Sequence, residues 1–286
     1  MNLMKMKSIK DHLIPLSVKM KPVFSLLVLL IFCGDILHAQ DKINQLQQNS
    51  QVVLNDLEEI PGNEGLAGCF AGIHNDAYLL AGGTAFPDKK PWEDGSKYFS
   101  DAVLVFKKNE NGAFEKIQSG YLPIGIGEGA SVSIPGGLLC MGGLTPEGLS
   151  AKVFLVSWNN GEIKKGEYPS LPFPVKSAAA AAIGSNVYLL GGESENGATT
   201  QFLKLDLENL EAGWQIQPSF PVPVSGAMAT AQMDGEEVSL QVFGGRAKLA
   251  EDSTTTFYSH VFRFRPSTGK WKKMQNIRLS DGTVLL

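Results

Sequence analysis

The chain has 286 residues, of which 43% are hydrophobic and 19% charged, and a formal net charge of −4. Such a composition supports a sizeable buried core and excludes disordered and collagen-like chains. The slight acidity supplies no basic field for a nucleic-acid backbone or an anionic membrane surface, and three cysteines are too few for a disulfide framework.

In chain order, scattered lysines up to Lys19 and Lys21 lead into an apolar run at positions 23–32 and then a polar stretch ending in His38-Ala39-Gln40. That is the order of a secretory signal peptide, and the run is shorter than the roughly 20 apolar residues a bilayer requires. The sequence predicts a signal peptide over 1–39, with Met20 as an alternative start, a lead-in over 40–59 holding at most a short helix within 41–50, and one domain over 60–286. Export to the periplasm or the medium follows, with no membrane association after cleavage. Cys140, inside Leu138-Leu139-Cys140-Met141, reads as a small buried hydrophobe.

From residue 78 onward a diglycine recurs after a short apolar run, at Gly82-Gly83, Gly142-Gly143, Gly191-Gly192 and Gly244-Gly245, spaced 60, 49 and 53 residues apart. Ahead of each run lies a segment of small residues and a turn pair: Asn75-Asp76, Pro135-Gly136, Ser185-Asn186 and Asp234-Gly235. After each diglycine come a variable loop, a third strand with period-two alternation, and a fourth strand marked by Phe114, Trp214 and Trp271. The second repeat departs from this, its Trp158 lying before an Asn-Asn-Gly turn. Ala178 to Ala182 has helical propensity but occupies the first-strand slot, so a strand is expected there.

Four strands repeated at about 50 residues predict an all-β, kelch-type β-propeller of four-stranded blades. The length provides four to five blades, and Gly282 to Leu286 reads as the opening of another repeat. An open ring exposes strand edges, so the expectation is a truncated six-bladed propeller, incomplete at the C-terminus; a closed four- or five-bladed ring is the other arrangement the count admits.

The string Gly65 to Ala77 (GLAGCFAGIHNDA), followed by Ala81-Gly82-Gly83-Thr84-Ala85-Phe86-Pro87 and Pro91-Trp92-Glu93-Asp94-Gly95, resembles the sialic-acid mutarotase (N-acetylneuraminate epimerase) family. Leu171 to Ser177 (LPFPVKS) resembles the opening blade of unpermuted members, and its place after two other blades resembles the cyclically permuted branch. The resemblance implies interconversion of the anomers of N-acetylneuraminic acid or a related sugar acid, without metal or organic cofactor, by acid/base ring opening. It also implies a catalytic glutamate with an arginine six positions on. The nearest glutamate is Glu193, but six positions on stands Thr199, so the pair is not reproduced and its equivalent is expected beyond Leu286.

Loops after strand two and before strand one share one face of such a propeller, and ligand groups are expected there. Phe86 and Trp92 are candidates to stack on a sugar, with Glu93 and Lys97 for its polar groups; Trp92 equally suits a rim-pinning role. Lys176 and Arg246 are candidates for a sugar carboxylate, arginine being the better bidentate partner. Glu193 and Glu251 are the weak acid/base candidates, and Glu128 shares the rim. His12, His38, His74 and His260 have no metal-ligand spacing, and His74 reads as structural. The second reading is a non-catalytic propeller that binds a glycan or a protein through the same rim.

Overall fold

The computed structural model describes residues 65–248 and 254–276. The expected signal peptide, the lead-in with its short helix, Glu251 and the segment from Gly282 lie outside the described residues.

Four antiparallel sheets follow one another, each with its strands in sequence order from the inside outward. The first blade comprises β1 (Phe70–His74), β2 (Ala77–Ala81), a short arm of β3 (Thr84–Ala85) and β4 (Tyr98–Phe99), then β5 (Ala102–Lys108) and β6 (Phe114–Tyr121). The second has β7 (Ala130–Ile134), β8 (Gly137–Met141), the arm β9 (Leu144–Thr145) and β10 (Gly148–Leu149), β11 (Val153–Asn159) and β12 (Glu162–Tyr168). The third has β13 (Ala179–Ile183), β14 (Asn186–Leu190), the arm β15 (Glu193–Ser194) and β16 (Gly197–Ala198), β17 (Phe202–Asp206) and β18 (Gln215–Ile216). The fourth has β19 (Met228–Met233), β20 (Val238–Phe243), the arm β21 (Arg246–Ala247) and β22 (Thr256–Phe257), β23 (Val261–Arg265) and β24 (Lys270–Lys273). This is the expected all-β propeller arrangement, with four blades among the described residues. The arms, one in each variable loop, were not foreseen. The alanine run is the strand β13, as its slot in the repeat required.

The core lies between blades. Leu79, Val105, Leu138 and Val156 pack at the first junction, Leu139, Leu171, Val187 and Leu205 at the second, and Leu190, Phe202, Leu240 and Phe264 at the third. Innermost strands sit side by side in the order β1, β7, β13, β19, which explains their small residues. A Cβ at Gly72 would lie 2.5 Å from Ser133 Oγ and 2.6 Å from Leu138 Cδ1. The serines of β7 also satisfy the open edge of β1: the Ala71 and Ile73 N–H groups donate to Ser131 Oγ and Ser133 Oγ at 3.1 and 2.8 Å.

The diglycines have a specific task at each junction. The N–H of the second glycine donates to a carbonyl of the next blade: Gly83 to Ile126, Gly143 to Val175 and Gly192 to Val224, each at 2.8 Å. The first glycine lies so close to that carbonyl that a Cβ on Gly82 would be 2.1 Å from the Ile126 oxygen. Only a residue without a side chain permits this approach.

Candidate functional site

Just before each innermost strand, the chain makes a one-residue left-handed bend at Gly68 (φ +63°), Glu128 (φ +59°), Ser177 (φ +52°) and Gly226 (φ +63°). These residues form a chain of hydrogen bonds from blade to blade: Glu128 N–H to Gly68 O at 2.8 Å, Ser177 N–H to Glu128 O at 2.6 Å and Gly226 N–H to Ser177 O at 2.8 Å. The residue before each bend pairs with the residue after the diglycine, as Ala67 with Thr84, Gly127 with Leu144, Lys176 with Glu193 and Ser225 with Arg246. The loops before strand one and after strand two therefore meet at one face, as the sequence reading expected. They form the mouth.

Four charged side chains from three blades join there. Lys97, delivered by β4, meets Glu128 Oε1 at 2.5 Å; Lys176 lies 3.3 Å from Glu128 Oε2 and 3.6 Å from Glu193 Oε1. The result is an alternating row, Lys97, Glu128, Lys176, Glu193. Burial alone would push the Glu128 carboxyl up, but the hydrogen bond from Lys97 and the charges of Lys176 and Lys97 outweigh it and hold its pKa below the ordinary 4.5. Glu128 is thus an anion that holds two ammonium groups, not a proton shuttle near neutrality.

The other expected residues distribute differently. Arg246 occupies in the fourth blade the position of Glu193 in the third; it is exposed, with no ion pair among the described residues. Trp92 sits in a 3-10 turn, Pro91–Glu93, with 80% of its surface exposed. Glu93 is taken up locally, its carboxylate accepting from the Lys90 N–H at 3.2 Å, and Phe86 is half-buried in the same loop. Of that loop's four candidates only Lys97 reaches the charged row, because it immediately precedes β4, which pairs with β3. Thr199 donates its hydroxyl to Gly191 O at 2.9 Å and supports the diglycine turn. His74 is structural as expected, its Nδ1 accepting from the Trp158 N–H at 3.1 Å. Cys140 is buried, which pushes its thiol pKa well up and leaves it unreactive.

Glu128 and Ser177 were undervalued by the sequence reading. Their signal is legible once the repeats are superposed: both occupy the bend that Gly68 and Gly226 occupy, and there a side chain costs about 1–3 kcal/mol of backbone strain.

Comparison with known proteins agrees with this architecture. Residues 168–280 match the family model described as N-acetylneuraminate epimerase, so the match covers the third and fourth blades and not the first-blade string Gly65 to Ala77. The N-acetylneuraminate epimerase of Brucella melitensis biotype 1 is 35% identical over 115 residues, 37% of this chain and 29% of that protein. That of Vibrio vulnificus is 36% identical over 102 residues, 34% of this chain and 27% of that protein. The chain thus matches less than a third of the length of these relatives. The solved structure of YjhT superposes with a TM-score of 0.61 at 14% identity, covering 77% of this chain and 73% of that one, a likeness of fold. The chain is therefore a β-propeller that carries, in its third and fourth blades, a segment similar in sequence to the N-acetylneuraminate epimerases.

Proposed function

We propose that the mouth binds a sugar acid of the N-acetylneuraminic type and that the protein interconverts its anomers, after export directed by residues 1–39. The observation that carries the reading is the charged row contributed by three blades at one face, in a chain whose third and fourth blades resemble the epimerases.

Anomer exchange needs a carboxylate anchor, a group that takes the anomeric hydroxyl proton and a group that protonates the ring oxygen. Arg246, with no ion pair among the described residues, is the anchor, since a guanidinium can meet a carboxylate with two parallel hydrogen bonds. Lys176, positioned by Glu128, supplies a second cation. Glu193, 3.6 Å from Lys176, is the carboxylate able to exchange a proton with a hydroxyl at the mouth. Thr199 stands where the family resemblance calls for an arginine and is occupied with Gly191, which favours a second reading: these blades bind the sugar acid without turning it over.

Exchange spectroscopy by NMR on the α and β anomers of N-acetylneuraminic acid separates the two. Acceleration over buffer, lost in Glu193→Gln, supports the enzyme. Binding without acceleration leaves the glycan-binding reading, and no binding at all defeats both. Arg246→Ala should weaken binding about 10- to 100-fold, the loss of charge-assisted bonds worth about 1.5–3 kcal/mol.

A further inference from the structure

The outer seams between blades are closed in two different ways. Val156, Leu205 and Phe264 are equivalent third-strand positions, opposite Leu138, Val187 and Leu240, each four residues ahead of its diglycine. On the fourth strand, Trp271 stands opposite Phe264, and Trp214 lies next to Gln215, whose partner Lys204 adjoins Leu205. Both indoles fill the seam with the preceding blade. Trp214 packs at the second junction and Trp271 at the third, and each Nε1–H donates across the seam, to Pro169 O at 2.8 Å and Pro218 O at 3.1 Å.

At the first junction the residue opposite Val156 is Lys165. Its ammonium makes the same kind of bond, to Tyr121 O at 2.8 Å, but its thin stem leaves the place of an indole open. The tryptophan of this blade has moved to Trp158 on β11, where it closes the seam at the far end, beside His74. A cleft of about 410 Å³ results, walled by Leu122, Ile124, Ile126, Phe154 and Tyr168 with Lys165 at its side. A shallower one of about 340 Å³ continues past Lys165 along β6 and β12. The first is of ligand size, and its rim carries the exposed Glu167 and Lys152, the latter with no side-chain partner among the described residues.

We infer that the seam between the first and second blades is a binding site for a small planar aromatic acid, its ring taking the place an indole fills at the other two junctions and its anionic group meeting Lys152. This site is separate from the mouth and independent of the reaction proposed there.

Indole-3-acetate is the probe, titrated into the chain and followed by ligand-observed saturation-transfer NMR. Saturable one-to-one binding is expected, with nuclear Overhauser contacts to the Ile124 and Ile126 methyl groups and no competition from acetate or N-acetylneuraminic acid. Lys165→Trp should restore the indole, weaken the probe at least about tenfold and raise Tm by about 2–4 °C. Non-saturable binding, displacement by N-acetylneuraminic acid, or undiminished affinity in a folded Lys165→Trp would overturn the site. Should that variant not fold, the methyl contacts in the unaltered chain decide, and their absence overturns it equally.

Discussion

Glu128 and Ser177 hold side chains in a backbone conformation that the first and fourth blades assign to glycine. For Ser177 no side-chain hydrogen bond among the described residues offsets the strain, so Ser177→Gly should stabilise the fold by about 1 kcal/mol, read as a Tm higher by about 2–4 °C. For Glu128 the two lysines oppose the strain. Its carboxyl is held below 4.5 in the folded chain, so its contribution is complete above that value and is lost as pH falls through the lower folded value. Glu128→Gln removes this dependence. The Tm difference between the two proteins, corresponding to about 1 kcal/mol for a partly exposed network, should be largest above pH 5 and close in acid; a constant gap down to pH 2 would show that the charge is not what holds Lys97 and Lys176. At this scale Lys97, Lys176 and Glu193 were legible because each adjoins a recognisable strand or diglycine. That Trp92 and Glu93 stand away from the charged row was not legible, because side-chain chemistry does not reveal where a long loop folds back on itself.

Among elements, the diglycine is the most informative unit. Its hairpin role was legible from the apolar run before it, but not its bond to the following blade, which depends on a residue 43 positions further along for Gly83 and 32 for Gly143 and Gly192. Gly82→Ala should therefore cost more than a surface glycine change, because its Cβ would clash with backbone at a left-handed φ of +65°. Loss of cooperative unfolding in urea is the expected result, whereas Gly161→Ala, with open space around it, bears only the cost of its own positive φ. The fourth-strand tryptophans are the second such unit. Trp214→Ala should lose about 3–5 kcal/mol, and a chemical-denaturation midpoint within error of the parent would contradict its seam-filling role. The repeat position of Trp214 and Trp271 was plain in the sequence; the vacancy at Lys165 was not, since only strand register aligns Lys165 with them.

For the molecule as a whole, the blades are not equally enclosed. All of β8 is buried and the second blade is covered on both faces, whereas in the fourth blade Met228 is 69% exposed and β19 presents Thr230 and Gln232 to solvent. On the face opposite Phe262 and Phe264, Arg263 and Arg265 both meet Asp234, at 3.0 and 2.7 Å; the Arg265 hydrogen bond is the main reason the Asp234 carboxyl lies far below its usual range. Amide exchange should reflect this, with β20 exchanging faster than β8 under native conditions; equal protection would mean that one covered face suffices. Fold class and blade order followed from the repeat alone, because period, turn pairs and alternation all point to one architecture.

The bend-to-bend hydrogen bonds give the assembly a direction. Every blade offers its successor a carbonyl at the bend and an amide hydrogen at the second glycine, and both are taken at the first three positions. At the fourth, the Gly226 carbonyl and the Gly245 amide are in place, with no backbone partner among the described residues. Any sheet that brings a left-handed bend two residues after a carbonyl matches both groups at once, and grafting a copy of the third blade behind the fourth is the construction this invites.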